Sequence, residues 1–133
     1  MPARRSSRAF TLPELLLTAA ILSYSLSVIL ATFTNCVALN EASRNLTTAN
    51  CHAQFILEDI RNTAFNSIAA NITSGNWTWN TATVTGNGLT ALKGESITTT
   101  STGANPLDIT VTVNWNDLNS RSRSRVLRTY ISG

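Results

Sequence analysis

The stretch LLLTAAILSYSLSVILATF, Leu15 to Phe33, decides the fold. It carries no charged side chain, and the charge-free run continues to Asn40. A membrane-spanning helix needs about 20 apolar residues, so this stretch is long enough to cross a bilayer. It also explains the composition. Of 133 residues, 43% are apolar and only 13% charged, where an ordinary soluble domain is about 25% charged. Part of the chain is therefore built to avoid water, and the length leaves room for one small domain besides. Arg4, Arg5 and Arg8 lie just before the run, with no acid among them. The positive-inside rule keeps that end in the cytoplasm and places Glu41 onward outside. A secretory signal peptide opens the same way, but its apolar core is about 7–15 residues and ends at a small-residue cleavage site. Here the run is longer and the helical pattern continues past it.

The formal net charge of +3 resides in that leading cluster. Ten Lys+Arg less these three leave 7, against 7 Asp+Glu in the whole chain. Nucleic-acid binding needs a basic patch on the folded domain, and the balanced remainder gives it little support.

Thr11-Leu12-Pro13-Glu14 has the S/T-x-x-E form of a capping box at the start of the helix. Pro13 falls in the first turn, where no intrahelical N–H is lost. Glu14 is an ionisable residue at the edge of a bilayer segment, which is a functional hypothesis in its own right.

The stretch Arg4-Arg5-Ser6-Ser7-Arg8-Ala9-Phe10-Thr11-Leu12-Pro13-Glu14, followed by the apolar helix, resembles the class III signal of type IV pilins and type II secretion pseudopilins. That family has a short basic leader, a small residue, then Phe-Thr-Leu-x-Glu and a hydrophobic helix. The resemblance implies cleavage between Ala9 and Phe10 by prepilin peptidase, N-methylation of Phe10, and an assembly role for Glu14, the fifth mature residue. Two positions depart from the pattern: Ala9 stands where Gly is usual, and Pro13 where an aliphatic residue is usual. The implied partners are other pilin or pseudopilin subunits, prepilin peptidase, the inner-membrane assembly machinery and membrane lipid. The implied location is the bacterial inner membrane, single-pass with a cytoplasmic N-terminus, then a periplasmic or cell-surface filament. Within the family, the short globular part and the lack of a C-terminal cysteine pair favour a minor pilin or pseudopilin.

Beyond the membrane stretch, Leu39, Ala42, Leu46, Ala49, Ala53, Ile56, Ile60, Ala64 and Ile68 recur at spacings of three and four. They form one helical stripe. Glu41, Arg44, Glu58, Asp59 and Asn62 lie off it. The spacing predicts one helix to about Ala69, its first half apolar all round and its second half amphipathic. Asn71-Ile72-Thr73-Ser74-Gly75 ends it. The rest reads as strands: Thr81 to Thr85, Glu95 to Thr100, Leu107 to Trp115 and Arg125 to Ile131. The third is the strongest, with Leu107, Ile109, Val111, Val113 and Trp115 alternating with polar residues as in a half-buried antiparallel strand. Gly86-Asn87-Gly88, Lys93-Gly94 and Asp117-Leu118-Asn119-Ser120 supply the turns. The expected organisation is a leader over 1–9, a long helix over 10–70 with its membrane part at about 12–35, and a β-rich part over 71–133. The expected fold class is α+β, the helix packed against a small antiparallel β-sheet.

Residues for catalysis are sparse. His52 is the single histidine, so a His-based metal cluster or a conventional triad would need partners the sequence does not mark; a lone helical histidine is expected to be a polar surface residue. Glu58 and Asp59 are adjacent and point about 100° apart on a helix, which makes a poor acid–base dyad. No phosphate loop or calcium loop is present, and no cofactor or metal is expected. Arg121-Ser122-Arg123-Ser124-Arg125 reads as a solvated turn and strand edge. Trp77 and Trp79 read as core. The three Asn-x-Thr triplets at Asn45, Asn71 and Asn76 match glycosylation sequons at a frequency that chance explains. The chain is therefore expected to be no enzyme but the substrate of one. The alternative is a signal-anchored membrane protein with a ligand-binding extracytoplasmic domain. Cys36 and Cys51, fifteen residues apart on one helix, lie roughly 22 Å apart, too far for a disulfide. They are expected to be free or to bridge between subunits.

Overall fold

Helix formers, hydroxyls and aliphatic residues run without Gly from Leu12 to Arg61, and Pro13 is confined to the first turn, so nothing interrupts the hydrogen-bond ladder. The computed structural model, which describes residues 11–133, forms a single 50-residue helix over this range, α1 (Leu12–Arg61). A nine-residue helix α2 (Phe65–Thr73) follows. Then come β1 (Trp79–Asn80), α3 (Thr81–Gly86), β2 (Ser96–Thr102), β3 (Leu107–Asn116) and β4 (Ser122–Ile131). The four strands make one antiparallel sheet in the order β1-β2-β3-β4. The fold is α+β. The chain divides into two units, Met1–Leu39 and Asn40–Gly133.

The core belongs to the second unit. On α1 burial begins at Ala49 and continues through His52, Ala53, Ile56, Leu57 and Ile60. These residues pack on the inner face of β3, where Leu107, Ile109, Val111, Val113 and Trp115 are buried in strict alternation. Ile97 and Thr99 of β2 continue that face, and Ile68 of α2 and Val84 of α3 close it. Trp77 and Trp79 are both buried, as expected; the Trp77 indole N–H donates to Asp59 Oδ2 at 2.6 Å. The opposite face of the sheet is hydroxyl-rich, with Thr98 beside Thr112 and Thr100 beside Thr110. One apolar face and one polar face is what the alternation in β3 requires.

Three expectations need correction. The long helix does not reach Ala69. It ends at Arg61, and Ala64 adopts an extended backbone before α2. Asn62 and Thr63 are poor helix continuers because their side chains compete for backbone groups, and the Thr63 hydroxyl donates to the Asp59 carbonyl. The break re-aims the chain so that Ile68 still reaches the core, from a separate helix. Second, Leu39, Ala42 and Leu46 continue the stripe in sequence but are exposed; among the described residues nothing covers them. Third, Thr81 to Thr85 is not a strand but α3. The Asn80 side chain accepts the Thr83 N–H at 2.9 Å and caps the turn, and Val84 is driven into the core. Tertiary burial overrides the β preference of Thr and Val over six residues. The remaining strands match within a few residues, and Asp117 closes the β3–β4 turn by its backbone pairing with Arg121.

Candidate functional site

The outstanding surface feature is the first part of α1. Every described residue from Thr11 to Asn40 is exposed, including Leu15, Leu16, Leu17, Ile21, Leu22, Val28, Ile29, Leu30 and Phe33. The helix is long and apolar enough to cross a membrane, and none of its apolar window is buried within the chain. Its serine and threonine hydroxyls do not spoil that surface. Thr18, Ser23, Ser25, Ser27, Thr32 and Thr34 each donate to a carbonyl three or four residues earlier in the same helix, at 2.8–2.9 Å. In hydrocarbon an unsatisfied polar group costs several kcal/mol, and this back-bonding removes the penalty without a partner helix.

Glu14 sits in the first turn of this helix. Its N–H and that of Leu15 both donate to the Thr11 carbonyl, at 3.0 and 3.1 Å. The turn is thus closed through the backbone, and among the described residues the reciprocal side-chain bonds of a capping box are not made. The Glu14 carboxylate is exposed and is not ion-paired among the described residues. Ala9 and Phe10, the expected cleavage pair, lie outside the described residues, as do Arg4, Arg5 and Arg8. Cys36 and Cys51 are free and exposed on the continuous helix, which agrees with the exclusion of a bond between them.

His52 corrects the sequence reading. It is buried, 3% exposed, and its Nδ1 lies 2.7 Å from Glu95 Oε1. The other carboxylate oxygen of Glu95 accepts the Leu92 N–H at 2.7 Å, and Glu95 itself is 2% exposed. No buried side-chain nitrogen or oxygen among the described residues lacks a partner. The pair ties α1 to the segment entering β2. Its cue in the sequence was weak: Glu95 sits where a strand begins and His52 is adjacent to the stripe position Ala53. Two further carboxylates are held by arginines on the β3–β4 hairpin. Asp108 accepts from Arg128 through both oxygens, one at 2.7 Å, and Arg128 also lies over the Tyr130 ring. That bond holds the Asp108 carboxyl below its ordinary range. Asp117 is likewise lowered, chiefly because it accepts the Arg121 N–H. Neither arrangement presents a nucleophile or an open ligand set; both are locks on the hairpin.

No protein-family model, curated protein or solved structure matches this chain.

Proposed function

We propose that the chain is a structural subunit of an envelope filament, a type IV pilin-like protein of the minor pilin or type II secretion pseudopilin kind. The observation that supports it best is a conjunction at one end of the molecule. A basic leader and the Phe10-Thr11-Leu12-Pro13-Glu14 motif run directly into a helix that is apolar, exposed on all sides and self-satisfied in its serine and threonine hydroxyls. A helix of that kind is suited first to lipid and then to the same helix of neighbouring subunits, because both surroundings are apolar.

On this reading the chain inserts in the inner membrane with its N-terminus in the cytoplasm. Prepilin peptidase cuts between Ala9 and Phe10, and the new amino group is methylated. Assembly then draws the subunit out of the bilayer, with the Glu14 carboxylate meeting the Phe10 amine of a neighbour. A bare carboxylate is costly in an apolar setting and a cationic partner offsets that cost. The chain is then a substrate of an enzyme, and its partners are sister subunits, the peptidase and the assembly machinery.

Processing tests the reading. Protein recovered from cells that carry a prepilin peptidase should begin at Phe10 with a methylated amino group, read by intact mass and N-terminal sequencing. Recovery solely of chain beginning at Met1 or Pro2 would sink the filament assignment and leave a signal-anchored membrane protein. A cut beyond Leu30 would mean ordinary secretion.

A further inference from the structure

Within the second unit, a groove of about 400 Å³ runs between α1 and β4, lined by Gln54, Leu57, Glu58, Arg61, Leu127, Arg128 and Thr129. Its helix wall is one side of α1, at spacings of three and four. Its other wall is three consecutive residues of β4, whose side chains alternate between faces, so the groove opens along the edge of the strand. Among the described residues that edge is free: β4 pairs with β3 alone, over ten residues, and presents unused backbone N–H and C=O groups. The inward side chains beside it are under-packed: Leu127 and Thr129 are half-buried, whereas their partners Val111 and Ile109 are fully buried.

We propose that this groove receives an extended acidic segment of a partner protein, added as a fifth strand along β4. Charge selects the occupant. Arg125 and Arg61 lie beside the two ends of the groove. Arg125 Nε donates to Asn50 Oδ1 at 2.8 Å, and Arg61 donates to Thr129 Oγ1 at 3.2 Å. Neither is ion-paired among the described residues, unlike Arg121, Arg123 and Arg128, which are held by Asp117 and Asp108. Arg125 and Thr129 lie on the same face of β4 and are four residues apart, about 13 Å along a strand. Between them Leu127 faces Leu57 across the groove, with Glu58 on the helix wall. An added strand therefore meets, at alternate inward positions, a cation, an apolar site that an acid would find repulsive, and a second cation. The matching segment is acid-x-apolar-x-acid.

The other occupants fit less well. A second copy of β4 would bring Arg125 of both chains, not ion-paired among the described residues, into one seam, and like charges facing each other across strands are destabilising. The chain's own leading segment is basic. This docking site does not depend on the filament reading, and a negative processing result leaves it standing.

The test uses the full chain in zwitterionic micelles and a fluorescein-labelled peptide, Thr-Asp-Thr-Val-Thr-Asp-Thr, followed by fluorescence anisotropy. Saturable binding is expected. Arg61→Glu and Arg125→Glu should each weaken it about tenfold. The same peptide with Lys for both Asp should ignore the wild type and bind the double variant. A central Pro, which removes a strand N–H, should abolish binding. Unchanged tryptophan fluorescence in each variant establishes that the fold is intact. Lack of binding by the acidic peptide overturns the proposal. So does indifference to the central Pro, or equally tight binding of a 12-nucleotide oligothymidylate with the same arginine dependence, which would make the groove a site for any polyanion.

Discussion

His52 and Glu95 show how much one residue can carry in a domain this small. Their contact joins α1 to the entry of β2, and both side chains are almost wholly out of water, 4% and 0% exposed. Removing one partner leaves a buried polar group without its hydrogen bond, which costs about 1–3 kcal/mol for each group orphaned. Glu95→Ala should incur that cost twice, since it also orphans the Leu92 N–H. Glu95→Gln should lose markedly less. Its amide oxygen can accept from Leu92, and its NH2 can donate to Nδ1 if the ring takes the other tautomer. Denaturant unfolding followed by tryptophan fluorescence is the measurement, because Trp77, Trp79 and Trp115 all lie in the buried core of the second unit. Equal losses for the two variants would mean that the carboxylate itself, not an amide of the same volume, is required at the site. The pair was illegible in the sequence because the two residues are 43 positions apart, and because a lone polar residue beside a helical stripe carries no mark of what will face it.

At the level of elements, legibility followed the strength of the period. β3 alternates over its whole length, and the alternation marks its bounds almost to the residue. The apolar run of α1 needs no partner to be recognised. The failures are short elements whose conformation is set from outside: α3, a six-residue turn of β-branched residues held by the Asn80 cap and the burial of Val84, and the break at Asn62–Ala64, where no Gly or Pro marks the stop. The β3–β4 hairpin carries a pH signature. Asp108 and Asp117 are held below the ordinary value of 3.8, the first by Arg128 and the second by the Arg121 N–H. The folded state therefore binds fewer protons than the unfolded state near and below that value. Their stabilisation is fully present above the ordinary carboxylate pKa and is lost as pH falls through the lowered folded values. Below about pH 4 the wild type should lose stability with falling pH, and Asp108→Asn should flatten that slope while starting from a lower plateau at pH 7. An unchanged slope in the Asn variant would remove Asp108 from the account.

For the molecule as a whole, the question is whether Glu14 serves its own chain or the next one. Its local duty is slight. The first turn of α1 closes on the Thr11 carbonyl through backbone bonds, and the carboxylate is exposed and unpaired among the described residues. Glu14→Gln changes no volume and removes no backbone bond, so the fold of the second unit should shift by less than about 0.5 kcal/mol, as for an ordinary surface substitution. Membrane insertion should also survive, since it is directed by the apolar stretch and by Arg4, Arg5 and Arg8, all of which remain. Cleavage at Ala9–Phe10 should then proceed. Assembly is different. If a neighbouring Phe10 amine meets this carboxylate in apolar surroundings, the Gln variant leaves a buried cation without its partner, and losing one side of such a pair is severe. Incorporation into filaments should fall by at least about tenfold, read as the ratio of sheared filament protein to membrane-held protein in cells supplying the variant alone. Normal incorporation of cleaved Gln variant would show that subunit register is set elsewhere along α1, and would leave Glu14 as no more than an exposed residue in a helix's first turn.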